Sequence, residues 1–199
     1  MFLWLLIILA VVLWLFYEFW FLRDPERKIP KGDNVVSPAD GKVIKVFPYG
    51  NTEVMIKKGF AGQIKVLRQD VAEEGWIVSI FMSPLDVHVN RAPMEGEVKY
   101  VKHTPGRFRL AKFFDACIEN ERTEVLLVNK KTKVKVVQIA GFLARRIVTS
   151  ARKGEWVKKG QRIGLIKLGS QCCLIIPKRM KLRVKEGKMV CAGNTIIAH

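Results

Sequence analysis

A carboxylate, an imidazole and a hydroxyl stand out in three separate segments. They are Asp40 in Ser37-Pro38-Ala39-Asp40-Gly41, His88 in the run 81–93, and Ser170 in Leu168-Gly169-Ser170. Such a set can activate a nucleophile: the imidazole takes the hydroxyl proton, while the carboxylate fixes the ring and stabilises its positive form. Each residue also has an ordinary reading. Asp-Gly is a common turn pair, and His88 lies in the alternation Val87, His88, Val89, Asn90, which can present it to solvent from a strand. Gly-Ser is a frequent loop dipeptide. Whether the three meet depends on the elements that carry them.

Those elements read as strands. Short runs of β-forming residues punctuated by glycine and proline cover 76–82, 97–101, 124–128, 133–139 and 162–167, and no long helical periodicity follows residue 22. The expectation is an all-β or β-dominated domain. Residues 142–148 suit one helical turn, and 108–117 suit either a strand or a short helix. Near the end, Val157-Lys158-Lys159-Gly160 followed by Ile163 and Gly164 is echoed by Val184-Lys185-Glu186-Gly187 followed by Val190 and Gly193. Such units resemble those of biotinyl/lipoyl-like β-sandwiches; chance recurrence of a common turn is the alternative.

Ahead of the domain, residues 1–17 carry no charge, Glu18 interrupts, and Phe19, Trp20, Phe21 and Leu22 continue to Arg23. About 22 residues at about 1.5 Å each make roughly 33 Å, enough to span a bilayer. The bulky aromatics and the lack of a basic start argue against a cleaved signal. Trp4, Trp14 and Trp20 suit headgroup boundaries, and Arg23, Arg27, Lys28 and Lys31 outnumber Asp24 and Glu26, which favours a cytoplasmic C-terminal side. Glu18 keeps an in-plane anchor as the alternative. The division expected is a membrane anchor over 1–22 and a catalytic domain over 23–199.

The 199 residues carry a net charge of +17, and because Glu18 is the one charge before Arg23, the domain carries +18. The cations are scattered among apolar residues, as in Lys133-Val134-Lys135-Val136, with no nucleic-acid module in view. An anionic membrane is the expected partner. Cys117, Cys172, Cys173 and Cys191 show neither metal-type spacing nor a disulfide framework, and the three histidines, His88, His103 and His199, are too few for a His-rich metal site.

Taken together, the three segments are similar to those of the phosphatidylserine decarboxylase family, in its short form, which includes archaetidylserine decarboxylases. The resemblance extends through Phe21-Leu22-Arg23-Asp24-Pro25, Pro105-Gly106, Glu119-Asn120-Glu121-Arg122, Gln138-Ile139-Ala140-Gly141 and Ala144-Arg145-Arg146-Ile147. It implies that the chain cuts itself between Gly169 and Ser170, leaving a beta chain over 1–169 and an alpha chain over 170–199. Ser170 would become a pyruvoyl group that forms a Schiff base with the amine of phosphatidylserine or archaetidylserine, with no pyridoxal phosphate and no metal. His88 would be the base and Asp40 its orienting carboxylate.

The chain departs from that family pattern in two places. Gln171, Cys172 and Cys173 follow the cut, where many members carry threonine or a basic and acidic pair, and Arg91 stands where long members have a second histidine. The cysteines read as small apolar strand residues. Arg91, Arg145 and Arg146 are candidates for the lipid phosphate. Two rival readings are a biotin- or lipoyl-type carrier using Lys181, whose neighbours Lys178, Arg179 and Arg183 are basic, and a membrane adaptor without chemistry.

Overall fold

The structure is a computed structural model, and it describes residues 2–50, 70–106, 120–141, 146–167 and 170–199. Leu168, Gly169, Arg145, Cys117, the segment 108–117 and most of the turn expected over 142–148 lie outside these residues.

Helix α1 (Phe2–Leu15) is uniformly apolar and continues as a π-helical stretch (Phe16–Phe21). The 20 residues Phe2–Phe21 are long and apolar enough to cross a membrane. The wider winding shows at the end, where Leu22 N–H donates to Tyr17 O at 3.1 Å. Arg23 then caps Trp20 O at 2.6 Å, and Pro25 cannot continue the ladder.

The domain is strand-dominated, as its alternating sequence implies. Among the described residues the strands are β1 (Val35–Val36), β2 (Gly41–Tyr49), β3 (Gly75–Met82), β4 (Val89–Arg91), β5 (Gly96–Thr104), β6 (Arg122–Val128), β7 (Lys133–Ile139), β8 (Ile147–Thr149), β9 (Trp156–Val157), β10 (Arg162–Ile166), β11 (Ser170–Pro177), β12 (Met189–Val190) and β13 (Ile196–Ala198). Eight form one antiparallel sheet in the order β12-β2-β3-β11-β7-β6-β5-β9. Two smaller sheets, β4-β10-β8 and β1-β13, complete the fold. Residues 147–149 are thus extended rather than helical: Ile147 pairs with Ile166, and the β-branched pair suits a ladder better than a turn.

Strand β11 is buried throughout, which its nearly continuous apolar run demands of a central strand. It lies between β3 and β7, with Ser170 opposite Met82 and Pro177 opposite Gly75. Its side chains alternate between two clusters: Cys172, Leu174 and Ile176 pack with Val78, Ile80 and Val136, while Cys173 and Ile175 pack with Ile77, Val137 and Ile139. Both cysteines are buried strand residues, and burial raises the Cys172 thiol well above its ordinary range. The strand segments after residue 169 all pair with segments before it: β11 with β3 and β7, β12 with β2, and β13 with β1.

Between helix and sheet, residues 22–34 run over the domain as a strap. Asp24 accepts from Arg91 at 2.6 Å and also meets Arg162, which reaches Glu26 at 2.8 Å. Asn194 holds Lys28 O at 3.0 Å, and Lys159 donates to Gly32 O at 2.7 Å. Gly160, at φ +79°, leaves room for the strap's Ile29; a Cβ there would come within 2.3 Å of the Ile29 side chain.

Candidate active site

The segments carrying Asp40, His88 and Ser170 converge at the C-terminal end of β3. Ser170 pairs with Met82 there, and among the described residues its Oγ meets the Met82 thioether alone, at 3.5 Å. Gly41, at φ +139°, lets β2 cross this end; a Cβ on it would lie 2.1 Å from Phe81 O, so the residue after Asp40 must be glycine. His88 accepts the Ile166 N–H at its backbone carbonyl at 3.3 Å, which fixes it beside the chain leading to Ser170. A groove of about 810 Å³ lies elsewhere, bordered by the strap and by Asn129 and Thr132 at the far end of β6 and β7, and none of the three residues lines it.

His88 is fully buried. Its Nδ1 is 2.9 Å from Asp86 O, and since a carbonyl only accepts, Nδ1 must carry the proton of the neutral ring. The lone pair is therefore on Nε2, which is buried and has no hydrogen-bond partner among the described residues. Burial pushes the ring's pKa down to about 4, the Asp86 carbonyl and carboxylate oppose the fall, and the Arg23 charge adds to it. A neutral imidazole with a buried lone pair is chemically able to act as a proton acceptor.

The turn 83–86 places that ring. Pro84 presets its first bend, Asp86 N–H donates to Ser83 O at 2.9 Å, and the Asp86 carboxylate accepts from Ser83 N–H at 2.8 Å and Ser83 Oγ at 2.7 Å. The carbonyl that orients His88 belongs to this turn. Sequence reasoning overlooked it, although Ser-Pro-x-Asp is a readable turn signal.

Asp40 is placed differently from its expected role. Its Oδ1 accepts the Ala192 N–H at 2.7 Å and its Oδ2 accepts Arg27 at 2.7 Å. No hydrogen bond joins it to His88, and none joins His88 to Ser170. Burial raises the Asp40 carboxyl, and the Ala192 N–H and Arg27 pull it back in part. In this structure Asp40 ties the strap and the chain's last turn to the site.

Behind Met82 lies a buried polar chain that sequence reasoning also missed. Asn90 Nδ2 approaches Met82 Sδ at 3.8 Å and Pro38 O at 3.4 Å, Gln138 Nε2 donates to Asn90 Oδ1 at 2.9 Å, and Thr149 Oγ1 donates to Gln138 Oε1 at 2.8 Å. These bonds lock β4, β7 and β8 around the end of β3. Gln171 points to the other face of the sheet and donates to Ser79 Oγ. Of the phosphate candidates, Arg91 is buried and committed to Asp24, Pro25 O and Gly160 O, while Arg146 is exposed. Among the described residues no group of His, Cys, Asp and Glu could hold a metal ion.

Fold and site together bury a neutral imidazole and a serine at the end of a central strand. The chain matches the phosphatidylserine decarboxylase family over residues 15–198. A protein of Methanocaldococcus jannaschii provisionally named an archaetidylserine decarboxylase proenzyme is 48% identical over 193 residues, which cover 96% of this chain and 93% of that one. The phosphatidylserine decarboxylase proenzyme of Chlorobium phaeobacteroides is 39% identical over 189 residues, covering 94% and 80%. The chain belongs to the phosphatidylserine decarboxylase family and is a decarboxylase. That membership sets aside the carrier reading of Lys181 and the adaptor reading.

Proposed function

We propose that this chain is a self-processing, pyruvoyl-dependent decarboxylase of a serine-headgroup phospholipid, with Ser170 the residue converted and His88 the proton carrier. The observation that carries the reading is the buried, unshared Nε2 of His88 at the sheet end where Ser170 begins β11.

In the maturation step Ser170 Oγ loses its proton to His88 and attacks the Gly169 carbonyl carbon, and the Gly169–Ser170 amide becomes an ester. Glycine on the acyl side lets the oxygen approach without a Cβ in the way. Removal of the Ser170 Cα proton then breaks the Cβ–O bond, releasing the Gly169 carboxylate and leaving an enamine at residue 170. Water replaces its nitrogen, ammonia departs, and a keto group remains; no oxidant is needed.

The site suits this product. The Ser170 hydroxyl has a single weak thioether contact, so converting the side chain to a methyl abandons no strong hydrogen bond and places apolar surface against Met82. The pyruvoyl group supplies a carbonyl that condenses with the substrate amine and accepts the electron pair released with carbon dioxide. His88 is the group suited to return a proton to the substrate carbon. Fragments 1–169 and 170–199 stay together because β11, β12 and β13 are held by strands of the larger piece.

The apolar helix Phe2–Phe21 and the basic domain fit a membrane-anchored enzyme whose catalytic domain lies on the cytoplasmic side against anionic lipid. The diacyl and the archaeal ether-linked serine lipids share the reacting headgroup. The test is release of carbon dioxide from a serine-headgroup phospholipid in vesicles without added cofactor. Borohydride with substrate should trap the lipid on the fragment beginning at residue 170, and hydroxylamine should stop turnover. A requirement for added pyridoxal phosphate would overturn the reading.

A further inference from the structure

Phe21 is the last residue of the membrane helix and the one residue of Phe2–Phe21 that is buried. In a helix that merely tethers a domain, the final turn has no reason to be wound differently or to bury an aromatic ring. Here the π-helical winding advances each residue less along the axis and turns Phe21 towards the domain. Its ring lies over His88, with centroids 4.1 Å apart and planes inclined by 39°, and Tyr17 stacks on its other side at 5.5 Å and 8°. The turn is pinned from both sides of the site. Arg23 donates to Leu85 O in the turn that orients His88, and Lys167, three residues before Ser170, sits 5.7 Å from the Tyr17 ring centroid.

We propose that the last turn of the membrane helix is a wall of the reaction site, and that Phe21 is a positioning residue that holds the His88 ring and keeps water from its Nε2. The inference rests on the reading of His88 as proton carrier. Nδ1–H to Asp86 O sets the ring from one side, but a single hydrogen bond leaves the ring free to tip about it; the Phe21 face removes that freedom. The charged groups facing the ring are Asp86, from its own segment, and Arg23, from the strap, and they act in opposite directions. Burial is the largest influence on the protonation state, and the Phe21 ring is part of what buries the imidazole. The membrane anchor and the catalytic base become one unit, and the site opens where the helix leaves the bilayer.

The experiment uses full-length protein in lipid nanodiscs and compares Phe21→Ala, Phe21→Leu and Phe19→Ala, the last removing a ring that is 73% exposed in the same turn. The first readout is the NMR titration of the His88 ring in a Ser170→Ala background, assigned with His88→Gln. Phe21→Ala should raise the midpoint by more than about one unit towards the ordinary value near 6.5, Phe21→Leu by less, and Phe19→Ala not at all. The second readout is the rate of self-cleavage with Ser170 restored. Phe21→Ala should slow it at pH 5.5 relative to its own rate at pH 8 by the factor that its measured His88 midpoint sets, reaching about tenfold for a midpoint near 6.5, while the parent changes less than about twofold. An unchanged His88 titration in both Phe21 variants overturns the proposal, whatever the rates do. A shifted titration with an unshifted cleavage profile overturns the role of His88 as base, and the catalytic meaning of the wall falls with it.

Discussion

On one face of the central sheet Lys135 and Glu124 are buried to 1% and 2% exposure and meet at 3.1 Å, with Arg122 also reaching Glu124 at 3.4 Å. At the end of the same sheet His88 and Ser170 are fully buried, yet among the described residues Nε2 has no partner and Oγ has a thioether alone. Both regions bear the cost of burying polar groups. In the first the cost is offset by pairing, which holds β6 to β7; burial lowers the Lys135 ammonium, and the Glu124 charge and hydrogen bond oppose it. In the second it is left standing. That difference separates the polar groups that build the sheet from the candidate reacting groups, whose burial is left uncompensated among the described residues.

The contrast breaks cleanly under mutation. Ser170→Ala should abolish both chain cleavage and decarboxylation, while unfolding of the intact chain changes by less than about 1 kcal/mol, since only a weak contact is removed. A denaturing gel and a denaturant titration check the two halves. Lys135→Met should do the opposite: leaving Glu124 buried without its ammonium costs about 3–5 kcal/mol, and the fraction that folds should still cut itself. Adding Glu124→Leu should recover most of that loss.

The unpartnered imidazole also predicts how stability follows pH. His88 is held neutral, its pKa depressed to about 4 from 6.5, so the unfolded chain binds its proton first as pH falls. The stabilisation is complete above pH 6.5 and is lost as pH falls through the folded value near 4, on the order of 3 kcal/mol in all. His88→Gln in the uncut Ser170→Ala protein should flatten that part of the stability profile. The smallest effect belongs to Cys172→Ala, which removes a buried sulfur from the β11 core for about 1 kcal/mol and should leave cleavage unchanged.

Much of the sheet was legible because alternation and β-branching report strands directly. The runs read at 133–139 and 76–82 appear as Lys133–Ile139 and Gly75–Met82, and 124–128 and 97–101 lie within longer strands. Strand β2 was not read, since Lys42, Lys45 and Pro48 interrupt its pattern; among the described residues β12 pairs with it at Gly41 and Lys42, away from Pro48. The candidate residues could be named because a serine after glycine and a lone histidine are visible as residue types. Their partners could not. The group that orients His88 is a main-chain carbonyl, which carries no residue signature, and Phe21 looked like one more apolar residue of the anchor. Asp40 was legible as a carboxylate, but its bonds to Arg27 and Ala192 depend on where the strap and the last turn come to rest.

The central claim is that Ser170, through its buried and weakly held hydroxyl, is the residue converted to the pyruvoyl group of this decarboxylase. Intact mass spectrometry of the purified full-length protein tests it most directly. The account predicts two species, one matching residues 1–169 with an ordinary C-terminal carboxylate, and one matching 170–199 but lighter than the free peptide by the mass of one ammonia. Ser170→Ala should give a single uncut chain. A small fragment with an intact serine amine, or an active enzyme that remains one full-length chain, would contradict the account.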